Sequence, residues 1–466
     1  MHFKTEAKKY TDPEKMAADY LMSVFGQQKI QYPINPFALM KREGILFKFM
    51  DSHNLEGVYI PANSEDDIPV VGINYNRNIT RQRFTAAHEL CHHFKDADRP
   101  ISCPINGSKN DKIEKFADRF ASSLLMPFSE LKTQIEIYRK NRKDTYLCFD
   151  DILHISHFFG VSFQACLYRI AYELKLEDFI GEQISKNHIK NYASDKRRKE
   201  LKLTHVKLYA DLLDSFEEQL RFKPDKNEYV SYVFRNKYFL NDNRMEGINV
   251  SPEEVSEIVM DLLLNMQNSR YCKEDNERYM SIAGHYAMYQ EIFKDSVNKD
   301  VLIYEAFILN QKLFSYYPNP KTGGFVRKSN SWVLGSKFET ADYKDITPKI
   351  TELNNEIDIL NKHIDKISFS EFVKHIVRIH HKFTVIHPFN DGNGRTARAF
   401  MNLQFVRAGF LPVYIKVEDK NAYLDALSLA DKNNDYSELY ETIFKIIIRS
   451  HLELTTTEKA GEKLNS

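Results

Sequence analysis

The sequence predicts a mainly α protein with small β elements: an N-terminal α+β domain, then an all-α domain carrying one β-hairpin. Three observations predict it. Apolar residues recur at helical spacing through most of the chain, while strand-like runs cluster at 45–49, 57–60 and 70–74. A polar, basic stretch at 186–202 separates the two regions. With 466 residues there is room for two or three cores. The expected organisation is a first domain at 1–185, a linker at 186–202, a second domain at 203–455 and a tail at 456–466.

Lys+Arg and Asp+Glu balance at 65 each, and the pI is near 7.3. That balance offers no bulk field for nucleic acid or an anionic membrane. Cys91, Cys103, Cys148, Cys166 and Cys272 form no CxxC pair and read as reduced thiols. The opening residues lack an apolar core of signal-peptide length, and no later run is long enough to span a bilayer. A cytoplasmic protein is expected.

In the first domain a helical pattern covers Asp12–Phe25, and Pro33 and Pro36 interrupt the chain before a second helix, Phe37–Arg42. Strand-like pieces follow at Ile45–Phe49, Gly57–Ile60 and Val70–Asn74. Arg81-Gln82-Arg83-Phe84 then opens a helix carrying His88-Glu89-Leu90-Cys91-His92. Residues i and i+4 lie one above the other on a helix, so His88 and His92 can share one metal ion. Glu89 is placed to accept a proton from water at that ion. His93 points about 100° away and reads as structural.

Downstream, Glu114-Lys115-Phe116-Ala117-Asp118-Arg119-Phe120-Ala121 runs through Leu124-Leu125-Met126-Pro127, a helix stopped by proline. With Arg83-Phe84-Thr85 ahead of the two histidines, residues 12–175 resemble the ImmA/IrrE zinc metallopeptidases, a zincin-like fold. The resemblance implies Zn²⁺ held by His88, His92 and Glu114, with Glu89 catalytic. Cys91 stands where such proteins usually have glycine, either as a packed residue or as a metal-reactive thiol. A degenerate domain that binds metal without cutting, or a sensing module, is the alternative. Ile152–Ile170 reads as two short helices around Gly160-Val161-Ser162, the spacing of a helix-turn-helix. Its second helix carries only Arg169 as a basic group, so DNA binding is not expected.

Lys196-Arg197-Arg198-Lys199 reads as a solvated face of the linker. The second domain opens with a helix over Leu203–Leu220. At 241–255 a corner is expected: Gly247 ends one helix, and Ser251-Pro252-Glu253-Glu254 starts another. Helices are expected over Met280–Ile292 and Val301–Phe314. Gly323–Phe338 alternates around a Gly-Ser turn, a short hairpin with Trp332 at its base.

Between an amphipathic run, Phe372–Ile386, and another helical run, Ala399–Val406, lies His387-Pro388-Phe389-Asn390-Asp391-Gly392-Asn393-Gly394-Arg395-Thr396-Ala397-Arg398. A glycine-punctuated loop that opens a helix can aim several N–H groups at one anion, and the helix dipole adds positive potential. His387 can serve as a base, Asp391 can hold a divalent cation, and the two arginines can hold phosphates.

These twelve residues fill every defining position of the Fic signature, and the second domain resembles that family. The resemblance implies AMP transfer from ATP, with Mg²⁺, to a Tyr, Ser or Thr hydroxyl of a target protein. His387 would be the base and Asp391 the magnesium ligand. Gly392, Asn393, Gly394, Arg395 and Arg398 would bind the nucleotide, with Phe389 anchoring the loop and the hairpin aligning the target. Asn243-Arg244-Met245-Glu246-Gly247 is similar to the inhibitory motif of many Fic proteins, which implies that Glu246 pairs with Arg398. Asp242 departs from that motif, where Ser or Thr is usual. Phosphate transfer and removal of AMP are the alternative chemistries on this fold.

Overall fold

The structure, a computed structural model, describes residues 2–64, 66–104, 112–140, 146–174, 191–222, 228–266, 270–271, 276–294, 300–318, 323–331 and 339–455. It divides into two compact units, Met1–Ser215 and Phe216–Ser466, so the division falls inside the Val206–Leu220 helix. Trp332 and the turn expected after it lie outside the described residues, as do Cys272 and the tail. No described helix is long and apolar enough to cross a membrane.

The first unit is α+β. Strands β1 (Leu46–Met50), β2 (Leu55–Ile60), β3 (Val70–Asn74) and β4 (Ile101–Pro104) form one sheet in the order β1-β3-β2-β4. β1 and β3 run parallel, and β2 is antiparallel to both β3 and β4. β4 is not expected from the sequence: four residues are too short a run to give a clear period-2 signal, and pairing with β2 is what makes them a strand. The Ile79–Lys95 helix packs on β2 and β3 and is covered by Pro36–Arg42 and Lys112–Leu125. It is capped by Asn78, whose side chain accepts from Arg81 N at 2.9 Å. Burial there embraces Arg83, His88, Glu89, His92 and His93, all at or below 5% exposure. Such a density of sequestered polar groups requires partners or a function.

Arg83 has partners. Its guanidinium donates to the carbonyls of Ile34 (2.5 Å) and Gly160 (3.0 Å), binding the corner between helices Phe149–Phe159 and Phe163–Tyr168 onto the central helix. Arg169 is also buried, donating to Met126 O at 3.0 Å, so the two-helix corner presents no arginine outward. The basic cluster at 196–199 lies on a short helix, Ser194–Glu200, that buries no residue; Lys196 and Lys199 are exposed, and the partly exposed Arg197 pairs with Asp150 at 2.7 Å.

The second unit is helical. In chain order it comprises Glu228–Met245, Pro252–Leu263, Glu277–Ile292, Tyr304–Leu313, Ile346–His363, Phe369–Ile386, Asn393–Arg407, Lys420–Asn433 and Ser437–Thr455. Ser251 and Glu254 close a capping box, each accepting from the other's backbone N–H (3.1 and 2.9 Å). Asn393–Arg407 is buried nearly all round, contacted by Glu277–Ile292, Tyr304–Leu313 and Phe369–Ile386. A helix enclosed in this way has little freedom to shift, so the loop at its N-terminus is rigidly held.

Candidate active sites

In the first unit, His88 and His92 face one another one helical turn apart, their Nε2 atoms separated by 3.0 Å. Each ring is fixed from behind: His88 Nδ1 lies 2.9 Å from Asp118 Oδ1, and His92 Nδ1 lies 3.0 Å from Asp96 Oδ2. Carboxylates at Nδ1 set the tautomer that leaves Nε2 free to ligate. Glu114 completes the cluster, with oxygens 3.3 Å from His88 Nε2 and 3.5 Å from His92 Nε2. Among the described residues, His88, His92, Glu114 and Cys103 form a group that could hold a metal ion.

Glu89 points into the same region. Both of its carboxylate oxygens are buried without a hydrogen bond of ordinary geometry, although the Cys103 thiol is close enough to influence it. Burial pushes its pKa up, against the charges of His88 and His92. A buried carboxyl without an ordinary hydrogen-bond partner beside His88, His92 and Glu114 calls for a partner or a function. β2 approaches closely here: a Cβ at Gly57 would lie 2.3 Å from Glu89 Oε1, so any larger residue would force Glu89 or the strand to shift. His93 faces elsewhere, its Nδ1 3.2 Å from the Tyr59 hydroxyl, and burial drives its pKa down to about 3. Cys91 is an enclosed thiol whose pKa burial raises.

In the second unit, the Phe369–Ile386 helix ends where His387 turns left-handed (φ 52°, ψ 58°) and Pro388 forbids continuation. Phe389 is fully buried against Phe307 and Phe383. Asn393 locks the loop on it, accepting from Phe389 N (2.9 Å) and donating to Phe389 O (2.8 Å). Gly392, at φ +73°, begins the next helix. A Cβ there would meet Leu313 Cδ2 at 2.7 Å, so both the backbone and the space require glycine. Thr396 N makes the first helical bond, to Gly392 O, leaving the N–H groups of Asn393, Gly394 and Arg395 at the open helix end. That is an anion cradle.

Around the cradle, His387 is half-buried; burial lowers its pKa, against a hydrogen bond with the Thr384 backbone. Asp391 has an exposed side chain and spends Oδ1 on Gly392 N (2.6 Å) and Arg395 Nη2 (3.3 Å). Arg398 is gripped by two carboxylates: Nη2 reaches Glu246 Oε1 at 2.5 Å, and Nε donates to Asp242. Asp242 is buried and also meets His285 Nε2 at 2.8 Å. Burial opposes charge on Asp242, yet Arg398 and His285 outweigh it and lower its pKa. Glu246 lies against the cradle itself, 3.4 Å from where a Cβ on Gly394 would stand.

Two residues that sequence reasoning passed over hold this site in shape. Asn310, fully buried, donates to Asp391 O (3.1 Å) and Thr396 Oγ1 (3.0 Å) and accepts from Gly324 N (2.8 Å). Arg327 donates from Nε to His387 O (2.7 Å) and from its backbone to Pro388 O (2.9 Å), beside a Val326–Phe389 bridge. Neither belongs to a spacing pattern, because each acts largely through backbone groups of segments distant in sequence.

A family model described as "IrrE N-terminal-like domain" matches residues 40–171, and one described as "Fic/DOC family" matches residues 303–405. The chain joins an IrrE N-terminal-like domain to a Fic domain. The Fic domain is similar to "Protein adenylyltransferase fic-1" of Caenorhabditis elegans, 48% identical over 118 residues, 24% of this chain and 21% of that protein. It is also similar to "Protein adenylyltransferase Fic" of Aedes aegypti, 44% identical over 62 residues, 13% of this chain and 12% of that one. The chain thus spans about an eighth of the length of this curated relative. Among solved structures, a C. elegans Fic-1 fragment is 18% identical with a TM-score of 0.43, covering 72% of this chain and 94% of that one. A Fic domain containing signaling protein from Bacteroides thetaiotaomicron is 22% identical with a TM-score of 0.42, covering 54% and 97%.

Proposed function

We propose that the Fic domain transfers AMP from ATP to a Tyr, Ser or Thr hydroxyl of a target protein, and that Glu246 restrains it. The observation that carries this is the cradle at Asn393–Arg395 with His387 at one end and Arg398, held by Glu246, at the other. His387 removes the hydroxyl proton as oxygen attacks the α-phosphate. The loop N–H groups and Arg395 hold the phosphate oxygens, and Arg398 is the group a γ-phosphate would claim. Magnesium, for which Asp391 is the available carboxylate, neutralises phosphate charge when bound. Glu246 competes for Arg398 and lies where a third phosphate would approach the helix end, so ATP binds unproductively until it yields.

The test is incubation of the protein with α-labelled ATP and lysate. Glu246→Gly should label targets strongly, wild type weakly, and His387→Ala not at all. Full labelling by His387→Ala sinks the assignment. A second reading, removal of AMP, is favoured by one observation: the Glu246 carboxylate stands beside the cradle, where it can direct a water as well as block a phosphate. Loss of label from a pre-modified target on adding wild type supports that direction.

For the IrrE N-terminal-like domain we propose a zinc-dependent peptidase. His88, His92 and Glu114 would hold the ion, which supplies Lewis acidity toward a peptide carbonyl and water. Glu89 takes the proton of the attacking water and passes it to the leaving amine. Chelator-sensitive cleavage of a protein partner, absent in Glu89→Gln, is expected; cleavage unaffected by that change excludes Glu89 as the base, and no cleavage by wild type leaves a sensing role. Use of ATP and the reduced thiols of Cys91, Cys103, Cys148 and Cys166 support a cytoplasmic setting.

A further inference from the structure

The motif logic supplies three donors to the metal, yet the cluster has four. Cys103 Sγ lies 3.2 Å from His88 Nε2, and one donor atom from each of His88, His92, Cys103 and Glu114 falls within 4.8 Å of the others. With zinc–donor bonds of about 2.0–2.3 Å, the corners of a tetrahedron are about 3.3–3.7 Å apart. The observed separations of 3.0, 3.2, 3.3 and 3.5 Å sit close to that spacing.

Strand geometry explains how the thiol gets there. β4 is the edge strand, and Cys103 pairs with Gly57 on β2, the residue that lies directly against Glu89. Side chains alternate along a strand, so Ser102 and Pro104 are exposed while Cys103 is turned inward and buried. Gly57 has no side chain to hold the thiol away from the histidines.

We infer that Cys103 is the fourth protein ligand of the metal ion, closing the position that a hydrolytic water needs and leaving the peptidase latent in this conformation. The inference rests on the proposed metal site. Binding exchanges the Sγ–H bond for Sγ–metal, the proton passing to solvent. Four protein donors make a closed, structural-type shell, whereas a hydrolytic site keeps one position open. Cleavage therefore requires Sγ to leave, by withdrawal of β4 or by modification of the thiol.

The 466-residue chain, stripped of metal and reloaded with cobalt(II), tests this. One cobalt per chain with a near-ultraviolet thiolate-to-cobalt band is expected in wild type. Cys103→Ser should still bind one cobalt but lose that band, while Cys91→Ser keeps it. One bound cobalt without the band in wild type, or a band surviving Cys103→Ser, overturns the inference and leaves the three-ligand site standing. No cobalt bound by wild type overturns the metal site itself, and the inference with it. A second measurement needs no variant: loaded metal should slow iodoacetamide alkylation of Cys103 by about tenfold or more, reversed by chelation. Equal rates in apo and loaded protein overturn it.

Discussion

Asp242 accepts a hydrogen bond from Arg398 Nε although 156 positions separate them, and it does so from full burial on the Glu228–Met245 helix. Glu246, one turn further on, takes Nη2 of the same guanidinium. The two carboxylates are not equivalent. Asp242 is enclosed and backed by His285, whereas the Glu246 side chain is about a third exposed and stands at the cradle. In the proposed mechanism a phosphate entering the cradle displaces Glu246 and leaves Asp242 in place. Asp242 thus holds Arg398 in position, and Glu246 is the part of the clamp that can move.

Glu246→Gly should therefore release activity at little structural cost, because its half of the pair is screened by solvent. Asp242→Ala strips one partner from a buried pair and should lower stability by about 3–5 kcal/mol. Denaturant unfolding of the isolated variants checks this. Equal destabilisation by the two changes, or none by Asp242→Ala, contradicts the division of roles.

Asp242 also marks how far the sequence could be read. Many of the helices, the i, i+4 pairing of the two histidines, and the loop from His387 to Arg398 were legible, because each rests on local spacing that a helix or a helix N-terminus imposes; the Phe128–Lys140 helix was not read. Read only as a departure from Ser or Thr, Asp242 gave no sign of a second carboxylate on Arg398. That role depends on a helix packing distant in sequence. Cys103 was counted among scattered thiols because β4 reaches the metal cluster through strand pairing, which leaves no periodic trace. Asn310 and Arg327 act on backbone carbonyls, and no side-chain pattern records that.

The pH dependence of AMP transfer follows from His387. In the proposed mechanism its neutral form is the base, and burial lowers its pKa below the usual histidine value of about 6.5. The rate should be full above that value and fall only as pH drops through the lowered one. Measured in Glu246→Gly, the acid limb is expected to have its midpoint below about 6.5. A midpoint above 7 is incompatible with His387 as the base in this environment.

Arg327 is a positioning residue. Its guanidinium spans His387 O, Ser329 O (2.7 Å from Nη1) and Ala341 O, so it fixes the backbone that carries the base without touching the phosphate cradle. Arg327→Lys keeps the charge and loses the fork. Turnover in the Glu246→Gly background should fall about 10–100-fold, while the KM for ATP changes little. A rise in KM at unchanged kcat would instead mean that the residue serves nucleotide binding.

The Gly57–Glu89 approach yields the sharpest steric prediction. In Gly57→Ala the new methyl carbon would stand 2.3 Å from Glu89 Oε1 and 2.5 Å from Thr85 Cγ2. Both belong to the buried face of a helix that cannot retreat, since Pro36–Arg42 and Lys112–Leu125 pack on it. Relief has to come from turning Glu89 aside or from separating β2 from the helix. The first abolishes cleavage while metal affinity persists, because His88, His92 and Glu114 keep their places. The second loosens the metal cluster, because Cys103 is paired to Gly57 through β4. Metal content and cleavage measured together distinguish the two, and full cleavage by Gly57→Ala contradicts the close approach itself. Overpacking of this kind costs about 1–3 kcal/mol, so the domain should remain folded and the comparison interpretable.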